Sequence, residues 1–271
     1  MTAVPPETAD SAAPDSAAAR TSSGPLAGPG GGPLAGPGGG PLAGRVVLVA
    51  GATSASGEAV SRALVAAGAS VLAVGTRADA LDALASAVPG VDTRVCDLSD
   101  RDAVAELAMR IHLKFGPVDG LIHLVGGWRG GGGIAGQSDD DWDVLERSFR
   151  TLRNTTRIFY DDLVASAAGR LAIVSSTAVE RPYAGGANYA AAKAAGDAWT
   201  RAVAHGFAKD APNAAAAIFV VKTLAGLEER LGAEVVRLWE VEPSTVNGIR
   251  IPLTDQAPAP EPAADPARMD G

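Results

Sequence analysis

Between residues 45 and 253, short apolar runs alternate with longer segments that have helical spacing. The runs that suit buried strands are 46–50, 71–74, 93–96, 121–125, 171–174, 216–221 and 249–253. The segments that suit helices are 57–67, 78–87, 101–115, 140–166, 188–209 and 227–240. Such strict alternation predicts an α/β fold, a Rossmann-type doubly wound parallel sheet of about seven strands flanked by helices. Ligands of such sheets bind at the carboxyl ends of the strands.

Both ends of the chain differ from this domain in composition. Residues 1–44 are mostly Ala, Pro, Gly and Ser, and the octapeptide PLAGPGGG is written twice over residues 25–40. Too few large apolar side chains are present to offset the entropy of ordering, so a disordered tail is predicted. We favour a flexible spacer; the alternative is a tail that docks a partner. Residues 254–271 are predicted to be a second disordered tail, acidic and rich in Pro and Ala.

Charge and cysteine content limit the partners and the compartment. The net charge of −8 argues against a basic nucleic-acid footprint. The single cysteine, Cys96, excludes an intramolecular disulfide and favours a reducing compartment. The first residues, MTAVPPETADSAAPDS, lack the basic and apolar parts of a secretory signal, and no apolar run approaches the roughly 18 to 20 residues that span a bilayer. We therefore predict a cytoplasmic protein without nucleic-acid or membrane partners.

A glycine-containing turn follows the first predicted strand and leads into a helix. It reads Gly51-Ala-Thr-Ser54-Ala55-Ser56-Gly57. A turn of this kind presents backbone N–H groups and the positive end of a helix dipole to a pyrophosphate. The turn therefore predicts a dinucleotide site, although an ordinary strand-to-helix connection would also contain Gly and Ser.

The second predicted strand ends at Thr76 and Arg77, where no carboxylate is present. A carboxylate there would hold the ribose hydroxyls of NAD and repel a 2′-phosphate, which Arg77 and the Thr76 hydroxyl can accept. NADP(H) is therefore favoured over NAD(H). The alternative is that Arg77 is a solvated residue at the start of a helix.

Candidate reaction chemistry lies in residues 171–200. A short apolar run ends in Ser175 and Ser176, and an alanine-rich segment that favours a helix follows. Tyr189 and Lys193 are four residues apart on that helix and so share one face. A tyrosine of pKa about 10 needs such a neighbouring cation to exchange protons near neutral pH. The alternative is an ordinary surface helix, because this spacing is common by chance.

Ser176, followed thirteen positions later by Tyr189 and then by Lys193, resembles the catalytic element of the short-chain dehydrogenase/reductase family. The resemblance covers residues 45–253 and implies hydride transfer between a carbonyl and an alcohol with NAD(P)(H). It implies that Tyr189 is the general acid/base, that Ser176 orients the substrate oxygen, and that Lys193 lowers the pKa of Tyr189. Tyr189 and Lys193 would also contact the cofactor. The spacing favours Ser176 over Ser175 for the serine role.

The same resemblance implies further site residues. Asp97 and Leu98 follow the third strand, where the family's Asp contacts adenine, and Gly126 allows close approach to the cofactor. The family's catalytic Asn in the long helix is absent. One alignment puts Ser148 in its place, where the hydroxyl could hold a relay water, and another puts Phe149 there, which could not.

Two departures from the family bear on turnover. His123 stands where the family has Asn after the fourth strand, and we predict a packed residue and not a base. Residues 221–224 pass almost directly into a helix, without the usual substrate-covering segment. Trp128 and Arg129, in the glycine-rich loop 126–133, could partly replace this lid, or the loop could be a mobile surface segment. The alternative function is a cofactor-binding protein with little or no catalysis, serving as a sensor or structural subunit.

The resemblance also implies the partners. The substrate would be a small carbonyl or alcohol, and no metal ligand set is predicted. The family's relatives usually pair through their long helices, which implies a homodimer or homotetramer. The small side chains of Ala190, Ala194 and Ala198 would permit close approach of helices.

Overall fold

The computed structural model of the protein describes residues 39–255. The strands are β1 (Val46–Ala50), β2 (Ser70–Gly75), β3 (Val91–Val95), β4 (Gly120–His123), β5 (Arg170–Ser176), β6 (Ala215–Val221) and β7 (Arg250–Pro252). The helices are α1 (Ala55–Ala66), α2 (Ala78–Ala87), α3 (Arg101–Phe115), α4 (Asp139–Ala165), α5 (Ala187–Asp210), α6 (Glu228–Arg237) and α7 (Pro243–Val246). The repeat of residues 25–40 and the tail 254–271 lie almost entirely outside the described residues.

All seven strands are parallel and form one sheet in the order β3-β2-β1-β4-β5-β6-β7. This confirms the predicted Rossmann-type architecture. The chain order reverses at β1, which lies between β2 and β4. Its residues Val47–Ala50 pair with both of these strands. In open parallel sheets such a reversal opens a crevice at the carboxyl ends of the strands, where ligands bind.

The core lies on both faces of the sheet because successive strand residues point to opposite sides. In β1, Val46, Leu48 and Ala50 belong to one buried cluster, and Val47 and Val49 belong to the other. The first cluster packs against α3, α4 and α5, and the second packs against α1, α2 and α6. Burial on both faces explains why this strand is an uninterrupted apolar run.

Most differences from the predicted elements are shifts of one to three residues at the ends, where assignments are least determined. The strand predicted at 121–125 ends at His123, and α7 was not predicted because its four residues carry no readable periodicity. Residues just before the predicted boundary at 45 also pack on the domain. The side chain of Leu42 is fully buried, and its N–H donates to the carbonyl of Ala67 at 2.9 Å. None of the helices within residues 39–255 has the length and apolar character to cross a membrane.

Candidate active site

A cavity of about 670 Å³, called the main cavity below, opens at the carboxyl ends of β4, β5 and β6. Its lining brings together four predicted site residues from three separate segments, namely Gly126, Ser176, Tyr189 and Lys193. The turn after β6, residues 222–224, contributes the opposite side. The cavity therefore lies where the sheet topology predicts a ligand.

The two candidate serines end in different environments because neighbouring strand residues alternate in direction. Ser176 lines the main cavity, where its hydroxyl accepts the Ala178 N–H at 3.1 Å and is hydrogen-bonded to Tyr189. Ser175 is fully buried, and its hydroxyl has no hydrogen-bond partner among residues 39–255. Only Ser176 can meet a substrate.

Burial dominates the acidity of Tyr189. It raises the pKa of the phenol above its ordinary value, and a hydrogen bond from Ser176 only partly offsets this. The Lys193 ammonium lies 5.8 Å from the centroid of the tyrosine ring and donates to the carbonyl of Val174 at 2.7 Å. Burial also lowers the pKa of Lys193 to about 8. In this structure the pKa of Tyr189 is therefore raised and the ammonium of Lys193 is directed at a strand carbonyl, and the lowering of that pKa by Lys193 stays a prediction.

A second cavity of about 40 Å³, called the small cavity below, lies beside Lys193. Both candidates for the missing Asn, Ser148 and Phe149, line it. The Phe149 ring packs edge-on against Trp199, at 6.3 Å between centroids. Ser148 donates to a carbonyl one turn earlier in its own helix, at 3.2 Å, and so keeps lone pairs free to accept. Of the two residues, only Ser148 offers a polar side-chain atom to this space.

His123 is buried and neutral. Its Nε2 lies 2.7 Å from the Thr151 hydroxyl, which itself donates to the carbonyl of Ser148 at 2.7 Å. Because the hydroxyl hydrogen is already used, Nε2 of His123 must be the donor in this pair. Burial, with a smaller contribution from Lys193, lowers the pKa of His123 to about 3. The prediction of a packed residue is confirmed.

The turn between β1 and α1 has the close packing that a dinucleotide site needs. Gly51 has φ of +80°, and a Cβ there would lie 2.8 Å from the Val125 nitrogen. The chain that follows β4 therefore packs so closely on this turn that only glycine fits. A Cβ on Gly57 would lie 2.4 Å from the Ala52 carbonyl oxygen. Ser54 caps the helix, accepting the Gly57 N–H at 3.0 Å. These contacts hold the amino end of α1 against the crevice.

The first helical residues are Ala55, which is exposed, and Ser56, which is buried. Amide groups in the first turn of a helix lack intrahelical partners and can bind an anion. Beyond β2, the side chains of Thr76 and Arg77 are exposed. Within residues 39–255, the Arg77 guanidinium makes no hydrogen bond or ion pair. Its charge therefore remains available to a ligand.

Asp97 and Leu98 differ in what they can contact. The Asp97 carboxylate accepts the Ser99 N–H at 2.9 Å and its hydroxyl at 2.7 Å, and these bonds lower its pKa. Helix α3 is capped by Asp100, so Asp97 is not the helix cap. The Leu98 side chain lies in the core, 4% exposed. The Leu98 side chain is thus a packing group, and the predicted contact of Leu98 with a cofactor would have to use its backbone.

Sequence reasoning missed Asn154, which braces this region. Asn154 is 6% exposed, and its amide donates to the carbonyls of Leu98 at 3.1 Å and Ser99 at 3.0 Å. Helix α4 thereby holds the segment that carries Asp97. A lone amide on the apolar face of a long helix was the available signal.

Arg250 was also missed by sequence reasoning, and it holds the carboxyl end of β5 in place. Its guanidinium donates to the carbonyl of Ser176 at 3.0 Å and forms an ion pair with Asp197, which is fully buried. A third contact, at 3.2 Å, joins it to Glu180. Strand β7 and helix α5 are thus joined to the end of β5. The signal in the sequence was Asp197, one helical turn after Lys193.

The glycine-rich loop is attached to the segment before α5 through Gln137. The Gln137 amide donates to the carbonyls of Gly131, Gly133 and Gly185 at 2.8, 3.0 and 3.2 Å. Its carbonyl accepts the Asn188 N–H at 3.1 Å. A backbone bond of 2.7 Å joins Gly131 to Gly185. These contacts favour a fixed wall over a mobile surface segment.

Trp128 and Arg129 point in different directions from this loop. Trp128 lines the main cavity, and its indole N–H donates to the Tyr183 hydroxyl at 3.2 Å. Arg129 does not line the cavity; it donates to the Trp128 carbonyl and lies 3.8 Å from Asp141. Of the two predicted lid residues, only Trp128 contributes to the wall.

Comparisons with known proteins identify relatives of this chain. Residues 45–223 match the family model described as short chain dehydrogenase. The chain is 31% identical over 156 residues to the 3-oxoacyl-[acyl-carrier-protein] reductase FabG of Thermotoga maritima, covering 56% of this chain and 63% of that protein. It is 28% identical over 205 residues to the NADP-dependent 3-hydroxy acid dehydrogenase YdfG of Salmonella typhi, covering 75% and 73%. The chain therefore spans less than two thirds of the Thermotoga relative.

Solved structures show the same fold. A metagenomic short-chain oxidoreductase in complex with NADP superposes with a TM-score of 0.69 at 23% identity, covering 79% of this chain and 99% of that one. Serine dehydrogenase from Escherichia coli gives 0.69 at 24% identity, covering 76% and 96%. At such identities the likeness concerns the fold alone.

Proposed function

Because this chain belongs to the short-chain dehydrogenase family, we propose that it interconverts a carbonyl and an alcohol with Tyr189 as general acid/base. As a family member it is an NAD(P)-dependent oxidoreductase. The observation that carries the proposal is the hydrogen-bonded pair of Ser176 and Tyr189, with Lys193 beside it, on one wall of the main cavity. A substrate oxygen that meets both hydroxyls is positioned for proton transfer.

The residues of the chain perform the proton half of the reaction. A nicotinamide supplies or accepts the hydride when it is bound. During reduction, Tyr189 donates its proton to the carbonyl oxygen while Ser176 donates a hydrogen bond to the same atom. Because burial raises the pKa of Tyr189, the phenol is protonated at neutral pH, which is the form that reduction requires. In the reverse direction Tyr189 accepts the proton of the alcohol.

We assign Ser148 the role of holding a water beside Lys193. The small cavity of about 40 Å³ exceeds the roughly 10 to 15 Å³ that one water needs. Lys193 uses one N–H on Val174, which leaves two donors, and Ser148 has acceptor capacity on the other side. A water between them would connect the Lys193 ammonium to the Ser148 hydroxyl, which would then replace the side-chain amide of the family's catalytic Asn.

A dinucleotide suits the crevice because the close packing of Gly51 against the end of β4 sets the amino end of α1 at the crevice, where its first N–H groups have no helical partner. We propose that the phosphates bind there, that Asp97 accepts from the adenine amino group, and that Thr76 and Arg77 bind a 2′-phosphate. NADP(H) is therefore the proposed cofactor. The residues proposed to hold it are Gly51, Ser54, Ala55, Ser56, Gly57, Thr76, Arg77, Asp97, Leu98, Gly126, Tyr189 and Lys193.

Replacing Arg77 with Ala is expected to raise the Kd of NADPH about 10- to 100-fold and leave that of NADH unchanged. A charge-assisted hydrogen bond contributes roughly 1.5–3 kcal/mol, and only NADPH carries the 2′-phosphate. Fluorescence titration of both cofactors measures the difference. Arg101→Ala, at an exposed position in another helix, is the matched control. An equal loss of affinity for the two cofactors would show that Arg77 does not bind the 2′-phosphate.

Replacing Ser176 with Ala is expected to lower kcat of NADPH-dependent carbonyl reduction at least about 100-fold. Ser175→Ala, one residue away, should leave kcat near the wild-type value because its buried hydroxyl has no partner within residues 39–255. The two variants are compared in a screen of carbonyl substrates with thermal unfolding as a folding check. If the wild type reduces no carbonyl in the screen, or if both variants behave alike, the proposed function is contradicted.

We also propose a homodimer or homotetramer in a reducing, cytoplasmic compartment, the latter because Cys96 is a free buried thiol. The helix surface for association is narrower than predicted, since Ala190 is 4% exposed and packs within the chain, whereas Ala198 is exposed. Sedimentation that finds only monomer would contradict the association.

A further inference from the structure

The lining of the main cavity has the opposite charge from the chain as a whole. It contains Arg181, Lys193 and Lys222, and no Asp or Glu. The chain carries 31 acidic residues against 23 Lys and Arg, for a net charge of −8. A cavity lined by one sign of charge concentrates ligands of the other sign. The main cavity therefore favours anions on a protein that otherwise repels them.

Of these three cations, Arg181 and Lys222 have no side-chain partner among residues 39–255, and only Arg181 carries a guanidinium that can bind an anion in bidentate fashion. Lys193 donates to Val174 and lies at the reaction centre. Lys222 also borders a neighbouring pocket whose lining contains Glu180, Arg250 and Asp255. Within residues 39–255, the Arg181 guanidinium makes no hydrogen bond or ion pair.

Arg181 lines the same cavity as the reacting groups and follows Ser176 closely in the sequence. It lies five residues after Ser176, in the segment between β5 and α5, and Tyr183 follows it closely. Both line the main cavity, where Tyr183 accepts the hydrogen bond from Trp128. The adjacent Glu180 is paired with Arg250 and so does not neutralise it. A substrate whose oxygen meets Ser176 would extend towards an unpaired guanidinium beside an aromatic wall.

We propose that Arg181 binds an anionic group, a carboxylate or a phosphate, on the carbonyl or alcohol substrate. The inference rests on the proposed function, because it takes the substrate oxygen to lie at Ser176 and Tyr189. A guanidinium presents parallel N–H donors that match both kinds of anion and bind them in bidentate fashion. The substrate class is therefore oxo acids with their hydroxy acids, or phosphorylated ketones with their alcohols.

The wild-type enzyme is tested with pairs of substrates that differ only in charge. One arm compares 3-oxohexanoate with its methyl ester, and the other compares dihydroxyacetone phosphate with dihydroxyacetone, each with NADPH. We expect a kcat/KM at least about 10-fold higher for the charged member of one pair, and the arm that shows it identifies the anion. The preference should weaken at high ionic strength. Equal rates within both pairs would overturn the proposal.

Variants then assign the preference to one side chain. Arg181→Gln should raise KM for the charged substrate about 10-fold or more and leave the neutral one unchanged, and Arg181→Lys should fall between. Arg129→Gln is the matched control, since this cation lies outside the main cavity beside Asp141. All three variants should bind NADPH with the wild-type Kd. A loss that is equal for charged and neutral substrates would contradict the role of Arg181.

A measurement without turnover separates this inference from the proposed function. Saturation-transfer NMR on the protein with NADP⁺ compares hexanoate, propyl phosphate and methyl hexanoate, none of which contains a reacting carbonyl of the proposed kind. Binding of an anion to the wild type and its loss in Arg181→Gln would support the anion site even if no carbonyl were reduced. Absence of anion binding, while carbonyl reduction proceeds, would overturn the anion site and leave the proposed function intact.

Discussion

Replacing Tyr189 with Phe is expected to lower kcat by about 10²- to 10⁴-fold, the usual contribution of a general acid or base. The substitution removes one hydroxyl and keeps the ring that Lys193 approaches at 5.8 Å. Ser176 cannot replace it, because an aliphatic hydroxyl is a far weaker acid than a phenol. Steady-state reduction by NADPH measures kcat, and fluorescence titration checks that cofactor binding persists.

Tyr160→Phe is the matched control for that experiment. Tyr160 stacks on Phe207, with 5.5 Å between ring centroids, and does not line the main cavity. Its loss should leave kcat near the wild-type value. If Tyr189→Phe retained kcat in the presence of normal NADPH binding, Tyr189 would not be the proton donor.

Replacing Asp197 with Ala is expected to lower the free energy of unfolding by about 3–5 kcal/mol, because it leaves the positive charge of the largely buried Arg250 without its buried partner. Asp197 is fully buried, and the side chain of Arg250 is 16% exposed. The contact of Arg250 with Glu180 compensates only in part, because Glu180 is 65% exposed and its attraction is screened. Urea unfolding monitored by circular dichroism measures the change.

Two further variants make this prediction specific. Asp197→Leu combined with Arg250→Met should recover part of the loss, because replacing both members of a buried pair avoids an unpaired charge. Glu106→Ala, which breaks a surface pair with Arg110, should cost less than about 1 kcal/mol. If Asp197→Ala cost no more than Glu106→Ala, the buried pair would not stabilise the fold.

The elements and the central site residues could be predicted because their signals are local. Helices α2 and α3 and strand β1 have the predicted bounds, since apolar periodicity over adjacent residues encodes which face is buried. Tyr189 and Lys193 share a face because the spacing of a helix requires it. The same regularity puts Ser176 and Ser175 on opposite sides of a strand, although their sequence neighbours are nearly identical.

The supporting contacts could not be predicted because they join distant parts of the chain. Asn154 reaches Leu98 across 56 residues, and Arg250 reaches Ser176 across 74. No local pattern encodes such pairings. The direction of the shift in the Tyr189 pKa could not be predicted from the sequence either. It depends on the balance between burial of the phenol in the fold, which raises the pKa, and the effect of a nearby positive charge, which lowers it.

The attachment of the glycine-rich loop through Gln137 has a consequence for how the protein discriminates among substrates. An enzyme that folds a lid over its substrate adapts to different shapes and spends part of the binding free energy on ordering that lid. Here three carbonyl oxygens and one N–H are already satisfied by a single amide. A wall held in this way discriminates among substrates by shape at the opening of the main cavity, in addition to the discrimination by charge that we propose for Arg181.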